Sequence, residues 1–257
     1  MHNRTPVVLM LFWAGLAAAS MPTAACGELS EVIRAIKPGI AAIGSYSIKD
    51  TPKGRFFGTG FAVGDGRFVV TNNHVLGKIE DEKRLHHLRV FHPNLPGEGL
   101  KAHIAAQDPI HDLALVQIKH KLRPLPLGNA SAVREGESIA FTGYPIGLVL
   151  GLNPTTHAGI VSAIAPIMIP SPTARAIKGK HMDYLRDPYA VFQIDGTAFP
   201  GNSGSPVYRQ DSGQVIGVIN KVFVQDKKEH LLKKPTGITY AIPINHVKAL
   251  LKKVMNQ

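Results

Sequence analysis

The sequence predicts an all-β protein built from antiparallel barrels or sandwiches. Three observations predict it. Short β-prone runs alternate with turn residues along most of the 257-residue chain, which carries 25 glycines and 19 prolines, as a fold of many tight turns requires. Asp-Gly stands between two such runs, in Gly64-Asp65-Gly66-Arg67, a strong short-range signal for a hairpin. Helical periodicity is confined to the two ends, so there is no βαβ alternation to build a parallel sheet. With 44% hydrophobic and 18% charged residues, the chain can bury a sizeable core and is not disordered.

The elements follow in order. Leu29, Val32, Ile33 and Ile36 recur at helical spacing within Glu28 to Lys37, and Pro38 stops the helix. Ile40 to Tyr46 reads as a strand. Residues 57–63 and 68–71 form the hairpin around Asp65-Gly66, and Thr71-Asn72-Asn73-His74-Val75-Leu76 follows, which puts His74 at a strand end. Gly77 to Gly99 is polar and irregular. It contains His86, His87 and His92, but adjacent histidines without a partner cluster read as solvated loop residues, so no metal site is expected. Ala102 to Ala106 and Leu113 to Ile118 read as strands flanking Gln107-Asp108-Pro109-Ile110-His111-Asp112. Further strands are read at Ser138 to Gly143, Gly159 to Ile164, Gln214 to Asn220 and Ile238 to Pro243. A proline-containing insertion runs from about Pro166 to Pro188. Val247, Leu250, Leu251 and Val254 mark a closing helix over Ile244 to Val254.

The amino terminus reads as an export signal. Val7 to Ala19 is an apolar run behind His2, Asn3 and Arg4, too short for a membrane span, and small residues follow it. Residues 1–25 are therefore expected to be a signal peptide and residues 26–257 the mature domain. Thr23-Ala24-Ala25-Cys26 resembles a bacterial lipoprotein signal, and cleavage after Ala25 would make Cys26 a lipidation site and membrane anchor. Ordinary cleavage after Ala18-Ala19-Ser20 is the alternative. Cys26 is the only cysteine, which excludes an intrachain disulfide. The net charge of +11 implies weak attraction to acidic surfaces. The basic residues are scattered and no base-reading motif is present, so nucleic acid is not an expected partner.

The stretch that carries chemistry is Gly201-Asn202-Ser203-Gly204-Ser205-Pro206, reached through Gln193 to Pro200. Glycines on both sides of Ser203 free the backbone to aim N–H groups at one spot beside a serine oxygen, as acyl transfer requires. A serine nucleophile needs a base and a group to hold that base in one tautomer. His74 and Asp112 are the candidates. The chain order His, Asp, Ser is one of three known for this chemistry.

Gly58-Thr59-Gly60-Phe61, Thr71-Asn72-Asn73-His74-Val75, His111-Asp112-Leu113-Ala114-Leu115 and Gly201-Asn202-Ser203-Gly204 together resemble the trypsin-like serine peptidases of the bacterial HtrA/Deg type. Leu125-Pro126-Leu127-Gly128, Gly143-Tyr144-Pro145, Ser162-Ala163-Ile164 and Tyr240-Ala241-Ile242-Pro243 extend the resemblance over about residues 30 to 254. It implies two antiparallel six-stranded β-barrels, about residues 30–128 and 129–245, with the site in the cleft between them. It also implies Ser203 as nucleophile, His74 as general base and then acid, and Asp112 as its orienter. The N–H groups of Gly201 and Ser203, with Asn202 between them, would form the oxyanion hole. Asp195 would support the loop. Thr197 would lie at the base of the primary specificity pocket, where its neutral side chain suits small or medium apolar residues. No cofactor or metal is implied.

The sequence also departs from that pattern. Ser205 stands where the family usually has a second glycine. Asn202 replaces the aspartate with which animal relatives pair a freshly cut amino terminus, so no proteolytic zymogen switch is expected. The 166–188 insertion sits where the family keeps regulatory loops, and no PDZ domain is expected after the closing helix. The expected function is an exported serine endopeptidase, periplasmic or secreted, that hydrolyses unfolded or exposed protein segments. The alternatives are a chaperone-like or peptide-binding protein on the same scaffold and an esterase. The sequence leaves the oligomeric state open.

Overall fold

The computed structural model describes residues 28–81, 87–145, 151–167, 188–220 and 238–256. Its strands close into two six-stranded antiparallel barrels, as predicted. The first contains β1 (Ile40–Tyr46), β2 (Gly54–Val63), β3 (Phe68–Asn72), β4 (Leu88–Phe91), β5 (Leu100–Asp108) and β6 (Leu113–Ile118). The second contains β7 (Ser138–Gly143), β8 (Thr155–Pro166), β9 (Ala190–Asp195), β10 (Pro206–Arg209), β11 (Val215–Ile219) and β12 (Ile238–Pro243). The strand order β1-β2-β3-β6-β5-β4 recurs as β7-β8-β9-β12-β11-β10. Closure comes from β1 pairing with β4, with Ala42 opposite Phe91, and from β7 pairing with β10, with Phe141 opposite Val207. Closing each sheet on itself leaves no unpaired edge.

The strands read as apolar runs because both of their faces are covered. Successive side chains of a strand point to opposite faces. Along β6, Leu113 and Leu115 enter one core while Ala114, Val116 and Ile118 enter another. Along β1, Ile40 and Ala42 divide from Ala41 and Ile43 in the same way. The larger core is continuous across the barrels, joining Phe61, Val70 and Leu115 to Ile139, Phe141 and Val218. The barrels are therefore packed as one body.

Among the described residues, three α-helices flank them. α1 (Leu29–Ile36) buries Val32 and Ile36, and Pro38 falls in the 3₁₀ turn that ends it. α3 (Ile244–Met255) follows Pro243 directly and buries Ile244, Val247, Leu250 and Leu251, the three-and-four spacing of a single apolar stripe. It packs on β5, β6 and β11. α2 (Asn73–Asp81) corrects the sequence reading of a strand end followed by an irregular loop. Val75, Leu76 and Ile79 lie on one face of it and are fully buried, a short helical signal hidden in a polar neighbourhood. β4, four residues long, lies inside the same stretch, and β10 begins at a proline; neither was predicted.

His92 is buried. Its Nδ1 accepts from the Asn94 N–H at 3.2 Å, and burial lowers its pKa. His86 lies outside the described residues, among which no group of three His, Cys, Asp or Glu is arranged to hold a metal. Residues 1–27, with Cys26 and the expected leader, are also outside, as are residues 168–187 of the insertion. No described helix is long and apolar enough to cross a membrane.

Candidate active site

β3 and β6 are paired with Asn72 opposite Leu113. The chain leaving β3 and the chain entering β6 therefore start from the same end of the sheet, which brings His74 and Asp112 together. Asp112 has φ 51°, the only described residue other than glycine with positive φ. Asp and Asn tolerate this left-handed region better than other side chains do, at a cost of about 1–3 kcal/mol. In this conformation the Asp112 carbonyl accepts from the Asn73 N–H at 3.0 Å and from Asn72 Nδ2 at 3.1 Å. Its carboxylate Oδ1 accepts from the His74 N–H at 2.8 Å, and Oδ2 lies 2.6 Å from His74 Nδ1.

Two of these bonds satisfy the first N–H groups of α2, which every helix leaves without an internal partner. A carboxylate is also favoured there by the helix dipole. Asp112 thus caps the helix that carries His74 and fixes the ring at the same time. With Nδ1 committed to Asp112, the neutral ring presents Nε2 as an acceptor. That atom is buried and has no hydrogen-bond partner.

Ser203 is held by backbone geometry. The Asn202 N–H donates to the Phe199 carbonyl at 3.0 Å, with Pro200 second in the turn and Gly201 third at φ 102°, the signature of a type II turn. Gly204 follows at φ 89°, and a Cβ there would lie 2.1 Å from the Thr59 carbonyl oxygen. The Gly204 N–H donates to Ile219 at 2.9 Å, and the Ser205 N–H to Asn202 at 2.9 Å. Asn202, Gly204 and Ser205 thus spend their N–H groups on carbonyls, while those of Gly201 and Ser203 are left over. The Asn202 side chain is fully buried, with both amide atoms unpartnered.

Thr59, on β2, fastens this turn to the first barrel, a role the sequence did not reveal. Its N–H donates to the Ser203 carbonyl at 2.8 Å and its hydroxyl donates to the Gly201 carbonyl at 2.7 Å. The same hydroxyl accepts from the Tyr144 N–H at 3.0 Å, and the Thr59 carbonyl accepts from Thr71 Oγ1 at 2.7 Å. The departure at Ser205 is explained by Gly143. Ser205 is fully buried, and a Cβ on Gly143 would lie 2.0 Å from its Oγ. The hydroxymethyl group fills space that a missing side chain leaves.

Thr197 lies in a segment pinned on both sides by the buried Thr239, whose hydroxyl donates to the Gly196 carbonyl and accepts from the Ala198 N–H. Nearby, the His157 ring stacks on Phe141 at 5.0 Å and stands 5.8 Å from the ring of Phe199. Burial lowers the pKa of His157, and its Nε2 has no partner. Asp195 ends β9 with its side chain exposed. A cavity of about 320 Å³ abuts the Ser203 turn, lined by Phe56, Phe57, Gly58, Lys78, Tyr144, Pro200 and Gly201.

Residues 58–218 match the family described as trypsin-like peptidase domain. A probable periplasmic serine endoprotease DegP-like of Chlamydia pneumoniae is 33% identical, over 72% of this chain and 32% of the relative. The mitochondrial serine protease HTRA2 of Bos taurus is 30% identical, over 96% of this chain and 50% of the relative. The chain thus spans a third to a half of the length of these relatives. Among solved structures, the HtrA-type protease AlgW with decapeptide superimposes with a TM-score of 0.62 at 19% identity. That match covers 90% of this chain and 68% of AlgW, a likeness of fold.

Proposed function

Because the chain belongs to the trypsin-like peptidase domain family, we propose that it is an HtrA-type serine endopeptidase, acting on unfolded or exposed protein segments through an acyl-enzyme on Ser203. The observation that carries this reading is the 2.6 Å contact of His74 Nδ1 with Asp112, which leaves Nε2 as an unpartnered acceptor.

In this mechanism Nε2 of His74 takes the proton of Ser203 Oγ as that oxygen attacks the scissile carbonyl. Asp112 holds the tautomer and stabilises the imidazolium that forms. The negative charge on the former carbonyl oxygen is received by the N–H groups of Gly201 and Ser203, with Asn202 between them. Losing one such donor typically costs about 10²–10³ in turnover. His74 then protonates the leaving amine, and water activated by the same ring releases the acyl group. Every step uses groups of the chain itself.

Thr197 is the proposed base of the primary pocket, where its neutral side chain suits a small or medium apolar residue before the cut. Such residues become accessible when a protein unfolds. The DegP-like relative is named periplasmic, and with the leader-like residues 1–25 this supports export. Cys26 is the proposed anchor if cleavage falls after Ala25. The test is hydrolysis of a denatured protein by the mature enzyme and by Ser203→Ala. The variant should lose about 10⁶-fold in turnover. Activity that survives the change overturns the reading.

A further inference from the structure

A second His–Asp pair lies one residue upstream of Asp112. The Asp108 carboxylate accepts from the His111 N–H at 3.1 Å through Oδ1, and its Oδ2 lies 2.7 Å from His111 Nδ1. This closes the Asp108–Asp112 turn on itself. The far face of the His111 ring is also occupied. It stacks on His246 with centroids 3.7 Å apart and planes 26° apart, and meets Tyr189 edge-on at 4.6 Å. Tyr189 touches His246 as well, at 5.3 Å.

The three rings come from three separate parts of the chain. His111 belongs to the β5–β6 turn of the first barrel, Tyr189 immediately precedes β9 of the second, and His246 lies in the first turn of α3. Asp108 is tuned by the same contacts. Burial raises its pKa, but hydrogen bonds from His111 and the nearby charges of His111 and His246 outweigh this and hold it below the usual carboxylate value.

Asp112 needs such support. Its positive φ is costly, and a strained residue persists only where its surroundings over-determine it. Its downstream neighbour Leu113 is fixed by the β3–β6 ladder. On its upstream side, the turn is fixed by the Asp108–His111 pair and by the rings stacked on it.

We propose that His111 is a positioning residue for Asp112, clamped by His246 and Tyr189, so that α3 and the second barrel set the aim of the carboxylate that holds His74. The inference rests on the assignment of His74 and Asp112 to the reaction. Relaxation of this turn would move the Asp112 carboxylate relative to His74, and displacements near 1 Å at such a site can cost about 10²-fold.

The test compares His246→Ala with His246→Phe, the second of which keeps a ring to stack on His111. In His246→Ala, kcat on a denatured protein should fall about 10- to 100-fold with KM unchanged, and His246→Phe should restore most of it. A second readout does not depend on turnover: the downfield proton resonance expected of His74 Nδ1–H against Asp112. It should move or broaden in His246→Ala and His111→Ala and return in His246→Phe. Wild-type kcat together with an unmoved resonance in both alanine variants overturns the proposal. Failure of the peptidase reading would be distinct, since Ser203→Ala would then retain turnover.

Discussion

The two barrels share a strand order but hold their parts of the site by different means. On the first, His74 is held by side-chain bonds from Asp112, a residue forced into a left-handed conformation to make them. On the second, Ser203 is held by a backbone turn in which the N–H groups of Asn202, Gly204 and Ser205 are committed to carbonyls, with glycines at the positions no other residue would fill well. The first half should therefore fail chemically when a side chain is changed and still fold. The second should fail structurally when the backbone is constrained. Thr59 spans both halves and should show some of each failure.

Asp112→Asn tests the chemical half. The amide keeps the size of the side chain but can present its NH₂ to His74, favouring the wrong tautomer. Turnover should fall about 10⁴-fold, with the unfolding midpoint nearly unchanged in a denaturant titration. Gly204→Ala tests the structural half. The added Cβ meets the Thr59 carbonyl at 2.1 Å and requires positive φ, so a loss of about 2 kcal/mol or more is expected. Calorimetry of the Gly204→Ala protein on a Ser203→Ala background would separate that loss from self-digestion.

Thr59→Val should fall between them. It removes the hydroxyl that serves Gly201 and Tyr144 but keeps the backbone bond to Ser203. Leaving those two groups without their partner should cost about 1–3 kcal/mol and lower turnover as well, measured on one preparation by calorimetry and initial rates. A valine variant with full stability and full rate would remove Thr59 as the fastener.

The smallest effect concerns pH. Burial lowers the pKa of His92 and His157 below the ordinary 6.5. The unfolded chain therefore takes up protons that the folded one refuses. Their contribution is present above 6.5 and is lost as pH falls below it. Denaturant midpoints should decline from about pH 7.5 to about pH 5.5. The decline should be shallower in His157→Leu, and an equally steep one would contradict the sign of the shift.

Much of this was legible in the sequence where pattern and chemistry coincide. β1, β6 and β7 fall where their apolar runs do, because each is bounded by turn residues and buried on both faces. α1 and α3 carry clean helical stripes next to prolines. α2 escaped because its buried face is only Val75, Leu76 and Ile79 in a polar stretch, and β4 because four residues give no period. At the site, His74, Asp112 and Ser203 stood out through their motifs. Thr59 lay inside one of those motifs, but nothing in its neighbours marks it as the joint between barrels. The contact of His111 with His246 had no local signal. It exists because α3 packs on β5 and β6, a fact of tertiary folding and not of either segment.

The most direct test of the central claim is fluorophosphonate labelling of the purified mature protein, with mass mapping of the modified residue. A single adduct on Ser203 that disappears in His74→Ala is the expected result. An adduct on another residue, or none on a protein shown to be folded, would contradict it.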